Sequence, residues 1–334
     1  MSRSETGTIS AARQAYDRRE WNSAYELLTA ADAKEALGAE DLERKSWAAR
    51  WCGKYPEELA AVERAEKLYR QAGDRRGAAR MAIQLAYRMY AHRKEAVAAG
   101  CSARAAELLA NEGECPEQAL LSFLSSMAMM NMGDADSARR LATEARDIAV
   151  RIGDRDLEAL SKLSLGHVCL SSGDIERGIA LHDEASAAAM SGALGPFASG
   201  YIYCSVIVAC RNRADWKRAA EWTDQATRWC DQESLQYYPG LCRVHLAEVL
   251  RFGGAYDEAE RSAAQARDLL MAATPFFVGW AHREMAEIAL RRGNLTAARD
   301  NCQRALEFGT EPQPAFARLR LAEGDAEGAL RSIE

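Results

Sequence analysis

Alanine recurs at a nearly fixed interval along most of this chain of 334 residues. A constant period of this length is typical of helical repeat arrays, in which each repeat is one helical hairpin. The spacings between successive alanines are 34, 40, 40, 40, 41, 40 and 39 residues. The eight positions are Ala31, Ala65, Ala105, Ala145, Ala185, Ala226, Ala266 and Ala305. The period therefore predicts an all-α fold.

Two further columns of mostly small residues keep the same period. Small side chains let helix backbones approach closely, so we place one column on a first helix (helix A) and the other, with the alanines, on a second (helix B). The helix B column, seven residues before the alanines, is Ala24, Glu58, Ala98, Ala138, Gly178, Ala219, Ala259 and Ala298. The helix A column, twelve residues earlier again, is Ala12, Ser46, Ala86, Ser126, Gly166, Ile207, Ala247 and Ala286.

This arrangement resembles the tetratricopeptide repeat, whose usual period is ~34 residues. The longer period here indicates longer helices or longer turns. We predict a tetratricopeptide-like α-solenoid, a right-handed superhelix of about eight to nine helical hairpins, as a single array over residues 1–334.

Glycine followed by Asp or Asn marks the predicted turns. Glycine suits the left-handed residue that ends a helix, and Asp or Asn caps the next helix by accepting its free N–H groups. Four pairs precede helix B, at 133–134, 173–174, 293–294 and 324–325. Two more, at 73–74 and 153–154, mark the turn into the following repeat.

The composition argues against several classes of protein. The net charge is −6 with both signs interleaved, which disfavours nucleic-acid binding by this part of the protein. No apolar run reaches the ~18 residues of a membrane span, and the N-terminus lacks the apolar core of a secretory signal. Nine cysteines, several at core positions such as Cys169 and Cys210, fit reduced thiols. We therefore expect a cytoplasmic protein without a membrane partner.

Catalytic and cofactor motifs are weak in this sequence. It contains no phosphate-binding loop, no H-E-x-x-H and no C-x-x-C. Cys242 and His245, with cysteines of adjacent helices, have the residue types of a zinc site, but thiols packed in the core beside one histidine are the favoured interpretation. We predict no enzymatic activity, no cofactor and no metal.

The concave groove is the predicted binding surface. In a tetratricopeptide superhelix it is lined by helix A residues just beyond the crossing point, where aromatic and charged side chains suit an amphipathic ligand. We expect a protein, a peptide or a small-molecule effector there. The alternative is that the aromatic residues fill the interior and the charges pair with each other. The candidates are Trp47, Trp51, Tyr87, Tyr90, His167, Arg211, Glu248, Arg251, Glu287 and Arg291.

Several segments resemble the tetratricopeptide-repeat region of actinobacterial LuxR-type transcriptional regulators. They are 11–16 (AARQAY), 40–44 (EDLER), 203–207 (YCSVI), 218–223 (RAAEWT), 229–231 (WCD), 311–314 (EPQP) and 319–324 (LRLAEG). In that family the array precedes a C-terminal helix-turn-helix, so the resemblance implies a sensing or interaction role. The next small residue of the repeat would fall at position 336, so we expect a chain cut before that domain.

The sequence leaves three functional hypotheses. The first is the ligand- or partner-sensing domain of a LuxR-type regulator that meets DNA only through a domain beyond Glu334. The second is a stand-alone protein- or peptide-binding scaffold. The third, less favoured, is a small-molecule-binding or catalytic protein of secondary metabolism. Homodimer formation is left open.

Overall fold

A computed structural model describes residues 3–92 and 94–333. Within these ranges the chain forms eighteen α-helices and one 3₁₀ turn, Pro275–Phe277, and no strand. The odd-numbered helices are α1 (Arg3–Asp17), α3 (Ala39–Trp51), α5 (Arg75–Ala91), α7 (Pro116–Asn131), α9 (Arg155–Ser171), α11 (Pro196–Asn212), α13 (Pro239–Phe252), α15 (Val278–Arg291) and α17 (Ala315–Ala322). The even-numbered helices are α2 (Trp21–Asp32), α4 (Tyr55–Gln71), α6 (Glu95–Leu109), α8 (Ala135–Ile152), α10 (Ile175–Met190), α12 (Trp216–Gln232), α14 (Tyr256–Ala273), α16 (Leu295–Glu307) and α18 (Ala326–Arg331).

The repeat columns fall on the predicted helices. Every member of the helix A column lies on an odd-numbered helix, every member of the two helix B columns lies on an even-numbered one, and all are buried. The all-α prediction and the helical hairpins are therefore confirmed. The first interval of 34 residues includes short helices, with 12 residues in α2 and 13 in α3. From α4 to α15 the helices have 14 to 18 residues, and these longer helices account for the period of about 40.

The turns follow the predicted chemistry with one exception. Gly133, Gly173, Gly293 and Gly324 all have positive φ, between 73° and 89°, which glycine adopts without strain. The caps of α8, α16 and α18 accept a backbone N–H three residues on at 2.8 to 3.0 Å, from Asp134, Asn294 and Asp325. Asp174 stands at the same position before α10 but makes no side-chain cap hydrogen bond.

The contacts group the described residues into two compact units. The first comprises residues 3–50 and 56–209, and the second comprises residues 51–55 and 210–333. The cysteines predicted to lie in the core, Cys169 and Cys210, are buried. None of the described helices combines the length and apolarity needed to cross a bilayer. The single array over residues 1–334 stays a prediction.

Candidate functional site

The predicted aromatic residues of the first unit pack against aromatic residues of the same unit. Trp47 on α3 and Tyr87 on α5 each meet Phe197 of α11 edge-on, with ring centroids 6.0 and 5.2 Å apart. Tyr201, one turn further along α11, lies 6.4 Å from Tyr87 and donates its hydroxyl to Met127 Sδ at 3.1 Å. Much of this helix A surface is therefore covered by α11, as the alternative interpretation of the aromatic residues expects.

A buried arginine sits at the centre of these rings. The guanidinium carbon of Arg50 lies 5.4 Å from the ring centre of Trp47, 5.1 Å from Tyr87 and 5.7 Å from Phe197, within cation–π range. Its Nη1 donates to Glu58 Oε1 at 3.3 Å, and Arg88 Nη2 donates to Glu58 Oε2 at 2.6 Å. All three ionic side chains are fully or almost fully buried. This cluster stabilises the packing of α3, α4 and α5.

The other candidates from the first half of the sequence have separate surroundings. Trp51, which belongs to the second unit, is buried and stacks on Tyr238 with ring centroids 6.0 Å apart. Tyr90 is half-buried near the end of α5. His167 lies edge-on to His182 at 4.6 Å, and burial lowers the pKa of His167 to about 4, so its imidazole is neutral at pH 7. Ligand binding by these three residues stays a prediction.

The first unit also contains an open cleft of about 400 Å³ that the sequence reasoning did not find. Its polar groups largely satisfy one another. Glu43 accepts the Tyr69 hydroxyl at 2.7 Å and Arg80 Nε at 2.6 Å, and Arg80 Nη1 donates to Glu117 at 2.6 Å. The lining residues are Tyr16, Glu40, Glu43, Arg44, Trp47, Tyr69, Asp74 and Arg80. Of the groove candidates, only Trp47 lines this cleft.

Four of the five charged candidates of the second unit, all except Arg291, belong to a set of ion pairs across four helices. Arg211 of α11 contacts Glu248 of α13 at 3.0 Å, and Arg251, one turn further along α13, reaches Glu248 at 3.9 Å. We call these residues, together with the charged residues of α15 and α17 that interact with them or continue the row, the charge ladder. Its seven members are Arg211, Glu248, Arg251, Arg283, Glu284, Glu287 and Arg318.

The ladder continues onto α15 and α17. Arg251 Nε donates to Glu284 Oε1 at 2.5 Å, and Arg318 Nη1 donates to Glu287 Oε2 at 2.6 Å. Arg251 and Glu284 are both buried, so this pair lies in a medium of low dielectric constant, whereas the partner of the buried Glu287, Arg318, is exposed. Burial raises the pKa of Glu284 to about 7, although the hydrogen bond from Arg251 opposes that rise. Arg291 stands apart, exposed and without an ion pair in the described residues.

Two buried polar atoms at the ladder have no hydrogen-bond partner among the described residues, namely Nδ1 of His245 and Oε1 of Glu287. The guanidinium of Arg283 is only partly buried, and it too makes no hydrogen bond or ion pair among these residues. His245 and Glu287 are 2% and 4% exposed. Buried polar groups in native proteins are almost always paired, and exceptions often mark a functional site. Among residues 3–92 and 94–333, no group of three or more His, Cys, Asp or Glu side chains is arranged to hold a metal ion.

The positive charge of Arg211 affects the pKa values of both His245 and Arg283. Burial, together with the charges of Arg211 and Arg283, lowers the pKa of His245 to about 3, so the ring is a neutral donor or acceptor at pH 7. Burial also lowers the pKa of Arg283; the nearby charge of Arg211 adds to this, and the ladder carboxylates oppose it. An arginine remains cationic despite such a shift.

Sequence reasoning missed Arg283, Glu284 and Arg318, although a signal for two of them was present. Arg283 lies four residues before Glu287 on α15, and residues at that spacing share one helix face. Arg318 occupies, in the ninth hairpin, the position just after the crossing point that Glu248 and Glu287 occupy in theirs. Extending the register by one repeat would have included it.

Comparisons with known proteins support the fold. No protein-family model matches the chain, and no curated protein matches it. The structure of a Rap protein complexed with competence and sporulation factor matches 92% of this chain and 98% of its own, with 11% identity and a TM-score of 0.57. A signal transduction ATPase (STAND) protein with a tetratricopeptide repeat sensor, from Pyrococcus horikoshii, matches all of this chain with 11% identity and a TM-score of 0.56. This chain covers 52% of that protein. At this identity the likeness shows the fold, which is tetratricopeptide-like.

Proposed function

We propose that this chain is a sensing array, which binds a peptide, a small molecule or a partner protein on the helix A face of its second unit. The observation that carries the proposal is the charge ladder, where the buried ion pair of Arg251 and Glu284 lies beside polar groups that lack a partner in the described residues. A purely structural network gains stability when its buried groups are all paired, whereas a binding site keeps groups available for its ligand.

The structural neighbours agree with a binding role. One was solved in complex with competence and sporulation factor, and the repeat domain of the other is described as a sensor. Repeat arrays present extended surfaces along their helices, and ligand binding there can shift the packing between adjacent repeats. The proposal is therefore a binding and regulatory role in the cytoplasm, not an enzymatic one.

We further propose that the array regulates transcription as part of a LuxR-type protein. The support is the sequence resemblance, which extends from the segment at 11–16 to the segment at 319–324. In this arrangement a DNA-binding domain beyond Glu334 would read the state of the array. The competing proposal is a stand-alone scaffold, which the repeat fold itself supports.

Affinity capture tests the sensing role. The immobilised chain is exposed to extracts of the cells that produce it, and bound compounds and peptides are identified by mass spectrometry. We expect an effector that is retained by the wild-type chain and lost when Arg211 and Arg283 are both changed to Gln. Arg291→Gln is the matched control, because that arginine is exposed and unpaired within the described residues. Equal retention by all three chains would place binding elsewhere and contradict the proposal.

The intact mass of the native gene product separates the regulator from the scaffold. A mass well above 36.7 kDa, together with effector-dependent DNA binding by the full-length protein, is the result expected for a regulator. A mass near 36.7 kDa, or a longer protein that binds no DNA with or without effector, would favour the scaffold.

A further inference from the structure

The charge ladder contains one more cation than it has anions. Its three carboxylates each pair with a different arginine, since Glu248 binds Arg211, Glu284 binds Arg251 and Glu287 binds Arg318. This pairing uses every carboxylate of the ladder and leaves Arg283 over. No hydrogen bond or ion pair of the described residues involves the Arg283 guanidinium.

Arg283 is poorly placed for a purely structural cation. It is partly buried and close enough to Arg211 for the two positive charges to repel each other. A cation partly withdrawn from water without a hydrogen-bonded partner is costly, and a second cation nearby increases that cost, which the ladder carboxylates offset only in part. An anion bound between the two arginines would offset both effects.

We propose that Arg283, with Arg211 beside it, binds a carboxylate group of the effector. This inference rests on the sensing role proposed above and specifies the chemistry of its ligand. The guanidinium plane matches the two oxygens of a carboxylate, so that two parallel hydrogen bonds form. The Nδ1 atom of His245, which is buried beside both arginines, supplies a third polar contact in its N–H tautomer.

The charge count favours a carboxylate over a phosphate. The ladder has four arginines and three glutamates, so a single negative charge balances it when all are ionised. A phosphate monoester carries about two negative charges at pH 7. Its second charge would lie close to the ladder carboxylates, which already have their partners, and would be repelled by them.

Matched acids and amides test this inference, because an amide keeps the shape of the acid and removes its charge. One arm uses small molecules, with indole-3-acetate against indole-3-acetamide and N-acetyl-leucine against its amide. The other arm uses a mixed hexapeptide library with free or amidated C-termini. Saturation-transfer NMR detects binding, and titration calorimetry gives the dissociation constants. The two arms distinguish a small acid from the end of a peptide.

We expect the acids of at least one arm to bind ~10- to 100-fold more tightly than their amides, as a charge-assisted bidentate contact implies. Arg283→Gln should remove that difference and leave amide binding unchanged. Arg291→Gln, two helical turns further along α15, should preserve it. Circular dichroism of each variant checks that the helices are retained.

Several results would overturn the carboxylate assignment. They are acids that bind no better than amides in both arms, an acid preference that survives in Arg283→Gln, no binding by any acid, and tighter binding of phenyl phosphate than of the acids. The sensing role is judged separately by the captured effector. An effector that needs Arg211 and Arg283 but carries no carboxylate would retain the sensing role and reject this inference.

Discussion

Two glycines show how tightly a single hairpin is packed. Gly166 of α9 and Gly178 of α10 face each other at the helix crossing, where the other repeats mostly have Ala or Ser. A Cβ on Gly178 would lie 2.7 Å from Leu170 Cγ and 3.0 Å from Gly166 O. A Cβ on Gly166 would overlap the ring of His182 and lie 3.1 Å from Gly178 O. This pair of helices therefore has no room for even one methyl group.

We expect Gly166→Ala to lower the free energy of unfolding by ~1–3 kcal/mol, the usual cost of overpacking a core. The matched control is Gly100→Ala in the middle of α6, where a Cβ meets no atom within 4 Å. That change should stabilise the chain by ~0.5–1 kcal/mol, because alanine is the better helix former. Urea denaturation followed by circular dichroism measures both. Equal effects of the two substitutions would show that the crossing is looser than described.

At the scale of helices, Glu58 occupies a position that is small in every other repeat. It lies at the start of α4 with no exposed side-chain surface and accepts hydrogen bonds from Arg50 on α3 and Arg88 on α5. One carboxylate thus joins three successive helices. Replacing it by the alanine of the other repeats would leave two buried guanidinium groups without their shared anion.

We therefore expect Glu58→Ala to lower the free energy of unfolding by ~3–5 kcal/mol, the typical cost of removing one partner of a buried ion pair. Glu63→Ala on the same helix is the control, because Glu63 is exposed and belongs to no ion pair in the described residues. Its effect should stay within about 0.5 kcal/mol. If Glu58→Ala were as mild as the control, the cluster would contribute little to helix packing.

The helices were predictable from sequence because their crossing points repeat. A small residue at a fixed interval specifies which helix faces meet, and every such position is buried in the structure. The contacts between distant repeats were not predictable in this way. Phe197 and Tyr201 of α11 lie more than a hundred residues from Trp47 and Tyr87, and no periodicity relates them. The partner of each ladder arginine likewise depends on side-chain geometry. The repeat register did place Arg211, Glu248, Arg251 and Glu287 on one helix A surface.

The balance of charge differs between the chain as a whole and the ladder. The chain has a net charge of −6, whereas four arginines and three glutamates give the ladder a net charge of +1 when all seven are ionised. The partly buried and unpaired Arg283 works against stability, because removing a cation from water is costly and the positive charge of Arg211 repels it. Proteins commonly tolerate such a cost in stability at a binding site. Replacing the costly residue there raises stability and lowers binding.

This exchange predicts opposite effects of one substitution on stability and on binding. Arg283→Met replaces the arginine by an unbranched apolar side chain and removes the unpaired cation. The melting temperature should therefore rise, by about 1–3 °C for a chain of this size. Arg291→Met, which removes an exposed cation from the same helix, should leave the melting temperature nearly unchanged.

Adding a saturating acid probe should then raise the melting temperature of the wild-type chain and of Arg291→Met but not that of Arg283→Met, since only a binding-competent native state is stabilised by its ligand. Scanning calorimetry of the three chains, with and without the probe, measures both effects. A fall in the melting temperature of Arg283→Met would show that the arginine stabilises the fold and that its positive charge is already compensated.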